Sequence, residues 1–253
     1  MAKLNQQQIA TYRADGVLHP VRVMTTEDAH WLRIAVETLE TEHSDGANGH
    51  DIAQFFRVNG QIVVPLLAEI ARRPAILDVA ESVLGPNLLV WSVELFIKEP
   101  GDGTIVSWHQ DITYWGMGET DEEVTVWLAL SDVSVAAGCM RFIPGSHQGG
   151  IVRHADTFAE ENLLSRGQEI ADVDETAAVP GPLHPGEISL HHPHTVHASS
   201  PNRSSERRIG FTIQSYIPPN VRQTKIPGYV QDARGADTYQ HMAKVPRPMY
   251  PLS

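Results

Sequence analysis

The spacing of apolar residues changes about a third of the way along the chain. Before residues 85–86 (Gly-Pro) apolar side chains recur every three or four positions, which is typical of amphipathic helices. This pattern predicts three helical regions: 5–15, a longer helix starting near Thr25, and 65–84 with a break before Pro74. In the second helix we expect Trp31, Leu32, Ala35, Val36 and Leu39 to be buried, and Glu37, Glu40 and Glu42 to face water.

After residue 85 the pattern becomes rich in β-branched and aromatic residues, which favours strands. Strands are predicted at 88–98, 124–130, 139–143, 187–190 and 208–216, and residues 54–58 are also expected to be extended. Helices followed by many strands, without regular helical crossovers, predict a mainly β, α+β fold whose strands form an antiparallel double-sheet barrel. Residues 219–253 are predicted to be a coil that wraps the body.

Composition narrows the possible partners. The 253 residues, 42% of them hydrophobic, are consistent with a single domain (1–253) made of a helical part (1–85), a strand core (86–218) and the terminal coil. A formal charge of −12 argues against nucleic acid as a partner. The lone Cys139 suits a reducing cytosol, and neither a signal sequence nor a membrane span is visible, so a cytoplasmic location is expected. The sequence leaves the oligomeric state open.

Residues 107–111 (Ser-Trp-His-Gln-Asp) contain the first candidate site. In an extended segment His109 and Asp111 would point to the same face and could meet at one metal ion. Two other His-x-Asp pairs occur, at 43–45 in a loop and at 154–156 before an acidic segment that reads as helical. An isolated pair of this kind is more often a surface feature, so the case for 107–111 depends on the sequence downstream.

That downstream sequence is residues 190–202, in which four histidines fall within seven positions. If residues 195–199 are extended, His197 and Ser199 share a face, and His197 can complete a site with His109 and Asp111. Two imidazoles and one carboxylate on one side of an ion form the facial triad of non-haem Fe(II) oxygenases. The remaining three, His191, His192 and His194, are interpreted as neighbours of the ligands or loop residues.

Several strings together resemble one family. The motifs W-H-Q-D, V-T-V-W, G-C-M-R-F-I-P-G-S-H, H-A-S-S-P-N and R-R-I-G-F are similar to those of the phytanoyl-CoA dioxygenase family of Fe(II)/2-oxoglutarate-dependent oxygenases. The resemblance is clear over residues 85–217 and looser over the N-terminal helices. It implies a double-stranded β-helix, the cupin-like jelly roll, with the N-terminal helices packed on it.

The resemblance also implies roles for individual residues. Fe(II) would be held by His109, Asp111 and His197, with 2-oxoglutarate and O2 as co-substrates. The residues matched to 2-oxoglutarate binding are Arg208 for its distal carboxylate, Ser199 as a helper, and Trp127 and Gln110 in the surrounding pocket; a more distant basic contact of the family falls near Arg57. The planar guanidinium suits this role because it can make two parallel charged hydrogen bonds.

The expected reaction is hydroxylation of an unactivated carbon of a small molecule, with release of succinate and CO2. Related halogenases have a small residue in place of the carboxylate, so Asp111 favours a non-halogenating oxidation. Tyr114, Trp115 and Arg141 are the candidate substrate contacts, and the acidic chain favours a small polar or secondary-metabolite substrate.

Alternatives are desaturation, epimerisation or ring formation, a non-catalytic metal-binding jelly roll, and a zinc hydrolase. The hydrolase would leave Arg208 and Ser199 without a role.

Overall fold

The computed structural model describes residues 3–47, 49–224 and 228–250. Its helices are α1 (Gln6–Asp15), α2 (Thr26–Glu42), α3 (Ile52–Arg57), α4 (Pro65–Ile70), α5 (Pro74–Leu84) and α6 (Ile112–Trp115). Its strands are β1 (Val17–Arg22), β2 (Leu88–Val90), β3 (Val93–Lys98), β4 (Val106–His109), β5 (Val124–Ala129), β6 (Met140–Phe142), β7 (Ala155–Asp156), β8 (Gln168–Glu169), β9 (Val179–Gly181), β10 (Glu187–His191), β11 (His197–Ser199), β12 (Arg208–Ile217), β13 (Tyr229–Arg234) and β14 (Ala243–Lys244). None of the described helices is both long and apolar enough to cross a membrane.

The helical part agrees with the sequence pattern except at two positions of α2 and in the segment 54–58. In α2 the buried stripe includes Leu32 and Val36, but Trp31 is 62% exposed because it lies one position off that stripe. Glu40 was expected to face water and instead forms an ion pair with Arg207 at 2.6 Å.

The extended segment predicted at 54–58 is wrong, since most of it belongs to helix α3. The Asp51 side chain accepts a hydrogen bond from the Ala53 amide at 2.9 Å and caps this helix. The two aromatic residues that favoured a strand, Phe55 and Phe56, lie in this helix, and Phe56 is buried in the core. The predicted break before Pro74 is confirmed, with α4 and α5 on either side.

The strands form two main sheets. The larger sheet has the order β1-β10-β5-β12-β2-β13-β14, with β3 also paired to β12, and the smaller sheet has the order β4-β11-β6-β9. Both are antiparallel apart from the β13–β14 pair. The mainly β, α+β prediction is therefore confirmed, but in the described part of the chain the sheets do not close into a barrel.

Two strands of the larger sheet were not expected from the sequence. Strand β1 pairs with β10, and β13 pairs with β2 inside the segment predicted as a coil. The interpretation of 219–253 as coil is thus wrong for Tyr229–Arg234; residues 225–227 and 251–253 of that segment lie outside the described ranges. Neither strand shows strict alternation of buried and exposed positions, the pattern on which strand prediction depends.

The two faces of strand β12 have different surroundings. In β12, Ile209 and Phe211 pack in the main hydrophobic core with residues of α2, α4 and α5. Arg208 and Thr212, on the opposite face, line a cavity that is also bordered by the smaller sheet. This alternation separates an apolar core from a polar interior space.

Candidate active site

Two histidines of the smaller sheet lie directly opposite each other. His197 on β11 is the register partner of His109 on β4, and their ring centroids are 4.2 Å apart. The Nδ1 atoms lie 2.9 Å from the carbonyl oxygens of Ser107 and Thr195, respectively. A proton held on Nδ1 by such a carbonyl leaves Nε2 as the free ligand atom. Burial keeps the pKa of His197 well below its usual value, so this ring is neutral and able to bind a metal.

Asp111 meets both histidines by a route that differs from the expected one. The chain leaves the strand after His109, and Asp111 has helical dihedrals (φ −59°, ψ −40°) at the start of α6, so the extended i, i+2 geometry is wrong here. Its Oδ1 still lies 3.2 Å from Nε2 of His109 and 3.6 Å from Nε2 of His197. The turn therefore delivers the carboxylate to the point where the imidazoles converge.

The other oxygen of Asp111 is already occupied. Its Oδ2 accepts a hydrogen bond from Thr125 Oγ1 at 2.7 Å and lies 3.0 Å from Nε2 of His191. Burial acts to raise the pKa of Asp111, but its interactions with His197, His109 and His191 hold it well below its usual value. The carboxylate is thus ionised, oriented, and left with one oxygen directed at the imidazoles.

This donor set fits a divalent iron. One ligand atom from each of His109, Asp111 and His197 lies within 4.8 Å of the others, and all three residues are buried. Two neutral imidazoles and one carboxylate oxygen would occupy one side of an ion, and the opposite side faces the cavity between the sheets. The other His-x-Asp pairs, 43–45 and 154–156, are not part of this group, and residues 155–156 form strand β7 rather than the expected helix.

The cavity between the sheets is also lined by Arg208. Arg208 is 1% exposed, donates to the Gly138 carbonyl at 2.6 Å, and lies 5.3 Å from the ring centre of Trp127. Its Nε has no hydrogen-bond partner, and no carboxylate of the described residues pairs with it. Burial lowers the pKa of Arg208 to about 10, so the side chain still carries its charge at neutral pH. A buried cation without a counterion is suited to an anionic ligand.

Ser199 lies beside this cation, on the same strand as His197. Its Oγ is 2.8 Å from Nζ of Lys98, a fully buried lysine that also donates to the carbonyl oxygens of Ser199 and Ser200 at 3.3 and 2.7 Å. His197 and Ser199 both line the cavity, but Ala198 between them lines it too, so the lining does not distinguish the two faces of β11.

The structure brings Tyr114, Trp115 and Trp127 to the cavity, but not the two other residues proposed from the sequence. Gln110 is buried elsewhere, where its amide donates to the Gly150 and His194 carbonyls at 2.8 and 2.7 Å. Arg141 pairs with Glu175 at 2.9 Å and stacks on Trp108, because alternation along β6 turns Met140 to the cavity instead. The predictions that Gln110 and Arg141 face the cavity are therefore wrong.

Sequence reasoning missed residues that support the site from the larger sheet. Thr125 holds Asp111, and Lys98 holds Ser199; Thr125 lies within the V-T-V-W motif without a predicted role, and Lys98 belongs to no motif. Alternation could have identified Thr125, since it lies two positions before Trp127 on one face of β5. His191 was interpreted as a neighbour of the ligands, and its contact with Asp111 confirms this.

The chain is similar to several known oxygenases. The phytanoyl-CoA dioxygenase (PhyH) family model matches residues 12–210. A probable alpha-ketoglutarate-dependent hypophosphite dioxygenase of Stutzerimonas stutzeri is 30% identical over 188 residues, covering 71% of this chain and 64% of that protein. L-Proline trans-4-hydroxylase of Streptomyces griseoviridis is 31% identical over 232 residues, covering 80% and 82%. The solved structure of a non-heme monooxygenase, ThoJ in its apo form, superimposes with a TM-score of 0.84 at 35% identity, covering 96% and 88%.

The chain spans between about half and two thirds of the length of three curated relatives that it matches. The covered shares of those proteins are 64%, 52% and 56%. The jelly-roll fold and the dependence on iron and 2-oxoglutarate agree with the family model and with these relatives. The chain belongs to the phytanoyl-CoA dioxygenase family.

Proposed function

We propose that the protein hydroxylates an unactivated carbon of a small polar molecule and consumes 2-oxoglutarate in doing so. The observation that carries the proposal is the convergence of Asp111 Oδ1 with two imidazole Nε2 atoms in the cavity that also holds Arg208, a buried cation without a counterion. A metal-binding module alone would have no use for such a cation.

His109, Asp111 and His197 would hold Fe(II), and the cavity gives 2-oxoglutarate and O2 access to its open side. Once bound, iron with these co-substrates supplies the oxidising power for attack on a C–H bond, with succinate and CO2 as products. Arg208 would bind the distal carboxylate of 2-oxoglutarate and Ser199 would donate a further hydrogen bond. Trp127 covers the guanidinium and excludes water from that contact.

The presence of Asp111 supports hydroxylation rather than halogenation, because its Oδ1 occupies the position that a halide would need. Held by Thr125 and His191, the carboxylate cannot easily turn away. The substrate would enter beside Tyr114 and Trp115, which line the cavity. Two relatives are named for hypophosphite and for L-proline, which supports a small polar substrate.

The test is anaerobic titration of the metal-free protein with Fe(II) and 2-oxoglutarate, followed by visible absorption. We expect the weak charge-transfer band of a chelated 2-oxo acid in the wild type and in Asp156→Ala, a control on the exposed strand β7. The band should disappear in Asp111→Ala. Absence of the band from the wild type at saturating iron would contradict the proposal and favour the zinc hydrolase or the non-catalytic module.

A further inference from the structure

Strand β3 presents three chemically different side chains to the interior of the protein. Glu94, Phe96 and Lys98 alternate along the strand and share a face. Lys98 lies at the closed end beside Ser199, and Phe96 lines the metal cavity. At about 3.3 Å per residue, Glu94 lies roughly 13 Å further along the strand than Lys98. Neither the family resemblance nor the proposed chemistry gives Glu94 a role.

Glu94 borders a second hollow, which adjoins the metal cavity. Phe96, Leu164 and Gln214 line both spaces, whereas Glu94 and Arg57 line only the outer one. The shared lining residues mean that a small molecule in the outer hollow would adjoin the cavity that contains the metal ligands. Glu94 therefore lies beside the space in which a substrate would approach Asp111.

The carboxylate of Glu94 has no partner in the protein. It is half-buried, and no residue in the described part of the chain donates a hydrogen bond to it or forms an ion pair with it. Burial, together with repulsion from Asp111 and against the attraction of Arg57, raises the pKa of Glu94 to about 8. Without a ligand the side chain is therefore mostly the neutral acid at pH 7, and a cationic group bound beside it would lower the pKa and stabilise the ionised carboxylate.

Arg57 is the nearest candidate for an internal partner, and its geometry does not fill that role. Its side chain is exposed, and its guanidinium donates to the carbonyl oxygen of Leu163. It makes no ion pair with Glu94, although both residues border the same hollow. The hollow thus retains one carboxyl group without a partner among the described residues.

We propose that Glu94 is the substrate-recognition residue and that it binds a protonated nitrogen, so that the substrate is a small amine or amino acid. The inference rests on the proposed oxygenase function and adds the chemical class of the substrate. An ammonium group fits better than a hydroxyl because it can donate a hydrogen bond to Glu94 and also stabilise the ionised form of the carboxyl group. The ammonium–carboxylate pair would fix one end of the substrate and leave its carbon skeleton directed at the metal ligands.

The experiment measures succinate release by the wild-type protein with Fe(II), 2-oxoglutarate and O2. The probes are the common amino acids, including L-proline, and simple alkylamines, each paired with the analogue in which carbon and hydrogen replace the amine. We expect stimulation above the substrate-free rate by members of the amine set and not by their deaminated partners. Equal stimulation by a deaminated partner, or no stimulation by any amine, overturns the inference.

A variant tests whether Glu94 itself is responsible. With the best amine, Glu94→Gln should lower kcat/KM at least tenfold, mainly through a higher KM, because the charge is lost while the shape is kept. Glu69→Gln is the matched control, because it makes the same substitution at an exposed position on α4, and it should change kcat/KM less than twofold. An unchanged KM in Glu94→Gln overturns the assignment. Loss of the anaerobic Fe(II)–2-oxoglutarate band in the wild type would instead refute the oxygenase proposal, so the two failures are distinguishable.

Discussion

Lys98 and Arg208 are direct partners across strands β3 and β12, and both are buried. Burial and repulsion from Arg208 lower the pKa of Lys98 to about 6, so Arg208 carries most of the charge of this pair at neutral pH, and no carboxylate of the described residues forms an ion pair with either. A dianion bound beside the two side chains would raise the pKa of Lys98 and bring in a second positive charge. We expect this pair to favour a dicarboxylate such as 2-oxoglutarate.

Removal of the Arg208 charge should weaken 2-oxoglutarate binding. Loss of a buried charged contact costs on the order of 2–5 kcal/mol, so Arg208→Gln should raise the dissociation constant by about thirtyfold or more. The measurement is titration of the Fe(II)–2-oxoglutarate absorption band. The matched control is Arg207→Gln, which removes ion pairs to Glu40 and Glu99 outside the cavity and should leave this constant within about threefold. Normal 2-oxoglutarate binding by Arg208→Gln would show that this assignment is wrong.

Lys98 should act on 2-oxoglutarate through the Ser199 hydroxyl. A charged ammonium uses its three hydrogens on three oxygens, which directs the hydroxyl hydrogen of Ser199 into the cavity as a donor. Lys98→Met and Ser199→Ala should therefore each weaken 2-oxoglutarate binding by about five- to twentyfold, while the double variant should be little worse than either alone. Fully additive losses in this double-mutant cycle would show that the two residues act independently.

The same lysine predicts a pH dependence. Burial, aided by repulsion from Arg208, lowers the pKa of Lys98 to about 6 in the ligand-free protein, whereas a bound dianion would raise it. The affinity for 2-oxoglutarate should thus be greatest below pH 6 and decline as the pH rises above it, with proton uptake on binding at pH 7–8. Calorimetry in buffers of different ionisation enthalpy measures this uptake. If Lys98→Met takes up as many protons as the wild type, another group is responsible.

Thr125 should tune the metal affinity of Asp111. Thr125→Val preserves the shape of the side chain but removes the 2.7 Å hydrogen bond to Oδ2, and substitution of such supporting partners typically costs 10–100-fold in metal affinity. Competition titration with Fe(II) or Co(II) measures the change. Thr212→Val is a close control, because Thr212 lines the same cavity and its buried hydroxyl has no partner. Equal losses in both variants would point to a general effect of cavity polarity.

Gly210 should be intolerant of a side chain. An added Cβ would lie 1.8 Å from Cζ2 of Trp127, the ring that covers Arg208. Gly210→Ala should therefore destabilise the protein by about 1–3 kcal/mol, as overpacking does, and weaken 2-oxoglutarate binding. Denaturant unfolding and the absorption titration report the two effects. Gly149→Ala, where nothing lies within 4 Å of the added carbon, should show neither; a stable Gly210→Ala variant with normal binding would mean that Trp127 moves freely.

The parts of the site that were predictable from sequence are those with strong local signals. His109, Asp111 and His197 fall in dense motifs, and the main strands of the larger sheet are rich in β-branched residues. Their convergence depends on cross-strand register and on the turn after His109, both of which are set by tertiary packing. The triad was therefore identified for a partly wrong reason, since Asp111 is not in an extended segment.

The errors have a common physical origin. Gln110 and Arg141 adjoin cavity residues in sequence, but alternation and local turns direct their side chains into other contacts. Lys98 and Glu94 lie in no motif, and the roles proposed for them depend on the position of β3 beside β12. The role of a charged residue in a strand depends on the residues of the neighbouring element that it contacts. The sequence pattern does not specify which element that is.

The alternation along β3 also has a consequence for regiochemistry. If a nitrogen is held at Glu94 and the metal ligands lie a fixed distance inward, the carbon that reacts is chosen by its separation from that nitrogen along the substrate skeleton. The distance along the strand then determines which carbon reacts. Homologous amines of increasing length should be oxidised at a constant distance from nitrogen rather than at a constant distance from their far end. Product analysis across such a series would give the distance between Glu94 and the reacting position from the location of the new hydroxyl group.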